Sequence, residues 1–118
     1  MARSILVVED DFYIREAVRE LLEDEGHTVH CAENGAQGLA MLEGLRPLPD
    51  VILLDLMMPV KDGFQFRAEQ RADPRFQHIP VVVMSADPQL DTRKDLLAAR
   101  AYLRKPVDMG QLLSAAAV

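Results

Sequence analysis

Cysteine is nearly absent: Cys31 stands alone among 118 residues, which rules out an internal disulfide and fits a reducing compartment. A buried, inert thiol is the expected state of that residue. Long apolar runs are missing as well. Met1-Ala2-Arg3-Ser4 leads into only four apolar residues before Glu9, Asp10 and Asp11, too few for a signal-peptide core. Nowhere do about eighteen apolar residues run together, as a membrane-spanning helix requires. No export and no membrane partner are expected, and the cytoplasm is the expected location. Positive charge is in short supply: 13 Lys and Arg against 19 Asp and Glu give a net charge of -6. The phosphate backbone of a nucleic acid would be repelled, so direct nucleic-acid binding is not expected. Repeats, low-complexity tracts and linkers are absent too. His27, His30 and His78 lie apart, without the paired spacing of zinc ligands, and are expected to be solvated or packed.

What is present suits a globular core. Apolar residues make up 49% and charged residues 27%, a balance that separates the chain from disordered ones. Its length fits one domain, expected over residues 1–118. Short apolar runs at 5–8, 51–54, 79–84 and 101–103 read as strands. The first three are almost unbroken Val, Ile and Leu, as strands covered on both faces of a parallel sheet must be. Thr28–Ala32 alternates, with Val29 and Cys31 against Thr28 and His30, and so fits a strand near an edge.

Helical periods fill the gaps. In 12–25, Ile14, Ala17, Val18, Leu21 and Leu22 fall on one face, and Gly26 supplies a stop. Asn34-Gly35 reads as a turn before a helix over 36–44, and Pro47-Leu48-Pro49 forces a break before the next strand. Asp62-Gly63, Asp87-Pro88 and Asp108 open three further helices as acidic N-cap candidates. The third helix has a thin apolar stripe of Phe64, Ala68 and Ala72, while Arg67, Gln70 and Arg71 fall where a wider face would be apolar. Five strands alternating with five helices dictate an α/β fold, a parallel sheet with right-handed crossovers.

In an open parallel sheet the functional crevice lies beyond the carboxyl ends of the strands. Those ends carry Glu9-Asp10-Asp11, Asp55, Ser85-Ala86 and Lys105-Pro106, so carboxylates, a hydroxyl and an ammonium project from one edge. Such a set suits phosphoryl transfer to a carboxylate, because a hard cation on oxygen ligands can bridge two groups that otherwise repel. Glu9, Asp10 and Asp55 could hold Mg2+. Lys105 can neutralise a phosphoryl oxygen as a point charge, and Ser85 can donate to another. Taken singly, each has a plainer reading: strand-end acids solvated in loops, a turn hydroxyl, a surface lysine, and Met57 and Met58 filling gaps.

Taken together, Ile5-Leu6-Val7-Val8-Glu9-Asp10-Asp11, Asp55-Leu56-Met57-Met58-Pro59 with Asp62-Gly63, Met84-Ser85-Ala86 and Tyr102-Leu103-Arg104-Lys105-Pro106 resemble the receiver domain of two-component response regulators of the chemotaxis-regulator type. The resemblance implies a flavodoxin-like (βα)5 three-layer sandwich with strand order 2-1-3-4-5. It implies that Asp55 accepts phosphoryl from a histidine kinase or a histidine phosphotransfer protein, with small acyl phosphates as substitutes. It also implies Mg2+ (or Mn2+) on Asp10, Asp55 and the Met57 carbonyl, with Glu9 acting through water and Asp11 a bystander. Ser85 and Tyr102 occupy the switch positions, and Lys105-Pro106 the strand-five ending where a cis bond is common. Such a domain is a switch, not an enzyme on other substrates; its partners are the donor, a downstream protein or effector domain, and a second copy in a homodimer.

Two departures stand out. Similar domains have an Ala-Gly-Ala turn before strand five, whereas Leu97-Ala98-Ala99-Arg100-Ala101 has no glycine. Ser85 and Lys105 are also closer in sequence than usual, which implies a shortened or shifted fourth helix. A phosphorylation-independent interaction module is the alternative function, and the chain is either a stand-alone regulator or part of a longer one. An aspartyl-phosphate hydrolase of the haloacid-dehalogenase kind is disfavoured, because Met57 stands where its second aspartate would be.

Overall fold

The structure is a computed structural model that describes residues 2–88 and 90–117. Ten elements alternate: β1 Ser4–Val8, α1 Phe12–Asp24, β2 Thr28–Ala32, α2 Gly35–Gly44, β3 Val51–Asp55, α3 Gly63–Ala72, β4 Val81–Ser85, α4 Leu90–Leu97, β5 Ala101–Arg104 and α5 Met109–Ala117. The strands form one sheet in the order β2-β1-β3-β4-β5, every neighbour parallel. The alternating β2 lies at one edge, as its pattern requires.

Side-chain alternation along the strands divides the core in two. Leu6, Val8, Ile52, Leu54, Val81 and Val83 face one way, against Leu42 of α2, Phe66 of α3 and Leu90 and Leu97 of α4. Ile5, Val7, Val51, Leu53, Val82 and Met84 face the other way, against Val18 and Leu22 of α1 and Leu112 and Ala116 of α5. The inner strands are therefore buried on both sides, which explains their unbroken apolar runs.

Helix starts follow capping chemistry. Asp11, Asn34, Asp62 and Asp108 accept from the backbone N–H of Ile14, Gln37, Gln65 and Gln111, and Asp62 with Gln65 completes a capping box. Asp11 thus has a job of its own as the cap of α1, and the Asn34-Gly35 turn is already the start of α2. Around the expected start of α4 at Asp87-Pro88, the Asp87 carboxylate meets Arg93 at 3.2 Å and the Asp87 carbonyl accepts from Leu90 N at 3.2 Å, while Gln89 lies outside the described residues.

The polar residues on the inner face of α3 have a structural reason. Gln70 is fully buried and donates through Nε2 to Phe76 O and Ile79 O at 2.9 and 3.0 Å, fastening the segment between α3 and β4. Arg67, also buried, donates to Leu97 O, Ala98 O and Gln70 Oε1. The helix packs through hydrogen bonds where a plain amphipathic stripe would use methyl groups, while Arg71 is exposed. The turn that lacks glycine places Ala98 at φ 46, a left-handed conformation usually left to glycine.

Candidate functional site

Two strand ends bring the acids together. β1 delivers Glu9 and Asp10, β3 ends on Asp55, and carboxylate oxygens of these three residues lie within 4.8 Å of one another. Glu9 and Asp55 are buried, at 0% and 3% exposure, whereas Asp10 faces solvent. β4 ends on Ser85, which is fully buried, so this residue closes the strand instead of following it. Just past β5, Lys105 donates its backbone N–H to Ser85 O at 2.9 Å, and the Lys105-Pro106 bond is cis.

Lys105 enters the acid cluster. Its Nζ lies 2.6 Å from Glu9 Oε1 and 3.3 Å from Asp55 Oδ1. Glu9 Oε1 accepts no aligned hydrogen bond, so its contact with the ammonium is an ion pair and leaves coordination capacity on a buried oxygen. Burial pushes the Lys105 pKa down, and the two carboxylates more than offset that, so the net shift is upward. The Asp55 carboxyl is shifted as well. Burial, followed by the Glu9 charge, outweighs the attraction of Lys105 and raises its pKa from 3.8 to about 7.

Backbone packing fixes Asp55. Gly63 donates to Leu56 O at 3.0 Å, and a Cβ at Gly63 would lie 2.5 Å from Asp55 O, so only glycine allows the start of α3 this close to the strand end. Arg15 supports the other side. Its guanidinium donates to Glu9 O at 2.9 Å and Asp10 O at 3.4 Å from a buried position on α1. Sequence reading passed over Arg15, although a charged residue three before Val18 on the inner face of α1 was a visible signal.

The remaining candidates are placed as follows. Met57 has an exposed side chain, and its N–H points to Asp55 Oδ1 at 3.5 Å. With Asp10, Met58, Pro59 and Asp62 it lines an open depression of about 360 Å³. The Ser85 hydroxyl accepts from Asp87 N at 2.9 Å. Tyr102 is half-buried, and its hydroxyl accepts from Ala99 N at 2.8 Å and donates to Lys94 O at 3.2 Å, at the corner between α4 and β5. Cys31 is half-buried instead of enclosed, and burial pushes its thiol pKa up. His27 accepts from Arg3 N through Nδ1. Among the described residues, Glu9, Asp10 and Asp55 form the one cluster of three with metal-ligand spacing, and no histidine joins it.

The donor set is hard and anionic, as Mg2+ requires, and its span is comparable with the roughly 4 Å between opposite ligands of an octahedral Mg2+. Among the described residues no helix is long and apolar enough to cross a membrane. Known proteins similar to this chain identify its family. Protein PilH of Pseudomonas aeruginosa is 39% identical over 116 residues, covering 96% of this chain and 93% of PilH. Response regulator PleD of Caulobacter vibrioides is 42% identical over 116 residues, covering 92% of this chain but 24% of PleD. The structure of chemotaxis response regulator CheY4 of Vibrio cholerae matches with a TM-score of 0.87 at 28% identity, over 98% of this chain and 96% of that one. The pattern of the response regulator receiver domain matches residues 5–117, and the chain therefore belongs to that family, the phosphoryl-accepting switches of two-component signalling.

Proposed function

We propose that Asp55 is the phosphoryl acceptor of this chain, charged by a phosphohistidine on a histidine kinase or a histidine phosphotransfer protein. One observation carries the reading: a buried strand-end carboxylate lies within 4.8 Å of two others and 3.3 Å from the Lys105 ammonium. An Asp55 oxygen forms the new O–P bond as the N–P bond of the donor breaks, and the imidazole nitrogen keeps the bonding pair. Mg2+ (or Mn2+), when bound, would supply the positive charge that offsets repulsion between the incoming phosphoryl group and the carboxylates. Glu9, Asp10, Asp55 and the Met57 carbonyl are the groups to hold it, with Glu9 acting through water.

Lys105 then exchanges its carboxylate contact for a phosphoryl oxygen, keeping the new charge paired. Ser85 Oγ, which accepts from Asp87 N, still has its own proton to donate to another phosphoryl oxygen. Movement of Ser85 toward the phosphoryl group vacates space for Tyr102 to turn inward, and the surface changes as a two-state equilibrium shifts. Phe12, Met57 and Val60, exposed on loops and helix starts at the same edge, offer the donor an apolar rim around the acids. The switched surface addresses a downstream protein, an effector domain or a second copy, and the net charge of -6 argues against direct nucleic-acid contact. A reducing cytoplasm suits the lone thiol.

Intact-mass measurement after incubation with Mg2+ and acetyl phosphate tests the assignment. One added phosphoryl group is expected on the wild type and none on Asp55→Asn. A gain in both proteins moves the acceptor elsewhere, and a gain in neither leaves a phosphorylation-independent interaction module.

A further inference from the structure

We propose that Arg67 is a positioning residue of the switch: from α3 it clamps the corner between α4 and β5 in the form that tethers Tyr102, and so sets how readily a phosphoryl group at Asp55 changes that face. The inference rests on the phosphoryl-switch reading above. Arg67 is 7% exposed, and three of its nitrogens are engaged, Nε with Leu97 O at 2.7 Å, Nη2 with Ala98 O at 2.8 Å and Nη1 with Gln70 Oε1 at 2.7 Å. A buried guanidinium is costly unless satisfied in this way, and a helix face that served packing alone would do as well with an apolar side chain.

The carbonyls it holds are significant. Leu97 is the last residue of α4, and Ala98 is the alanine at φ 46. A helix end without glycine at this position keeps a strained residue only if its surroundings over-determine it, and Arg67 supplies that constraint. The next amide, Ala99 N, donates to the Tyr102 hydroxyl, which in turn donates to Lys94 O. Two side chains thus close the same corner, Arg67 from α3 and Tyr102 from β5.

Arg67 also lies one helical turn from Gly63, the residue packed against Asp55 O. A continuous line of contacts therefore runs from the acceptor through Gly63 and α3 to Ala98, Ala99 and Tyr102. Turning inward would take the Tyr102 hydroxyl from Ala99 N, and Arg67 holds the carbonyls that present this amide, so loss of the guanidinium is expected to weaken the tethered form more than the switched one. The equilibrium then moves toward the switched form before any phosphoryl group arrives.

The chain has two tyrosines and no tryptophan, so in a Tyr13→Phe background emission reports on Tyr102 alone. Arg67→Met and Arg67→Lys in this background are titrated with beryllofluoride and Mg2+ as a phosphoryl mimic. For Arg67→Met the starting emission is expected to lie closer to the saturated value of the parent. Its half-saturating beryllofluoride concentration is expected to fall about tenfold, the loss of a charge-assisted hydrogen bond from one state. Arg67→Lys, with one donor group retained, should fall between, and it carries the test with the same sign if Arg67→Met does not fold. An unchanged or weaker response, or a change confined to the melting temperature, overturns the proposal. If the parent itself is silent, the phosphoryl-switch reading fails separately, and amide exchange at Ala98 and Ala99 decides the clamp. Faster exchange in Arg67→Met then upholds it, and equal exchange removes it.

Discussion

Asp55 carries opposing demands in one side chain under the proposed function, since a buried acid resists ionisation and a nucleophile needs it. With its pKa raised to about 7, the folded chain keeps a proton that the unfolded chain gives up near 3.8. Between those values the unfolded state binds fewer protons, so stability falls as pH rises. The contribution is complete below pH 4 and is lost as pH passes through 7. The full shift corresponds to roughly 4 kcal/mol, discounted to about 2 because the crevice opens on solvent. In a chelator, Asp55→Asn is expected to match the wild type near pH 4 and to exceed it by about 2 kcal/mol at pH 8. Urea denaturation of both proteins at the two pH values checks this, and equal stabilities at pH 8 would refute it. The residue types at the site were legible because hard-ion and phosphoryl chemistry needs carboxylates, an ammonium and a hydroxyl at strand ends. Arg15 and Arg67 were not read as supports, because a charged residue at an inner helix position has no meaning until the carbonyls it serves are known.

At the scale of elements, unbroken Val, Ile and Leu runs identified the inner strands, and alternation identified β2, because burial on two faces or one leaves different patterns. Asp62 and Asp108 marked helix starts correctly, since capping is local chemistry. At the Asp87-Pro88 start expected for α4, the described residues add a contact that no local pattern encodes, the ion pair of Asp87 with Arg93. α3 read as weak because the stripe of Phe64, Ala68 and Ala72 is not its inner face: Phe66, Arg67 and Gln70 are buried there, two of the three polar, and both alanines are exposed. Gln70 makes that connection testable. Replacing it by leucine keeps the volume but strands Ile79 O without its side-chain donor and leaves Arg67 Nη1 unpaired, while Phe76 O keeps the Ile79 N–H. Each buried orphan costs about 1–3 kcal/mol, so Gln70→Leu is expected to lose at least about 2 kcal/mol despite its greater hydrophobicity. Thermal denaturation is the measurement, and a more stable variant would contradict this account of how α3 is held.

For the whole molecule, the acids meet only because the sheet places β1 beside β3: Val8 pairs with Leu54, and Glu9, Asp10 and Asp55 follow directly. The unfolded chain holds them apart in sequence, so a divalent cation held by these acids would bind the folded state and hardly the other. Folding and metal binding are then one equilibrium, and stability should climb with the logarithm of Mg2+ concentration above the dissociation constant. Each tenfold increase contributes about 1.4 kcal/mol, which for a chain of this size is roughly 5 °C in melting temperature. The response should be strongest near neutral pH, where the cation and the proton compete for Asp55, and should fade as the pH is lowered toward 4. Asp55→Asn removes one anionic ligand and the competing proton together, so its melting temperature should rise far less over the same Mg2+ range. Raising ionic strength with a monovalent salt separates site binding from general screening of the -6 net charge. A melting temperature that rises equally with NaCl at matched ionic strength, or equally in Asp55→Asn, would mean that the three carboxylates share a neighbourhood without forming a metal site.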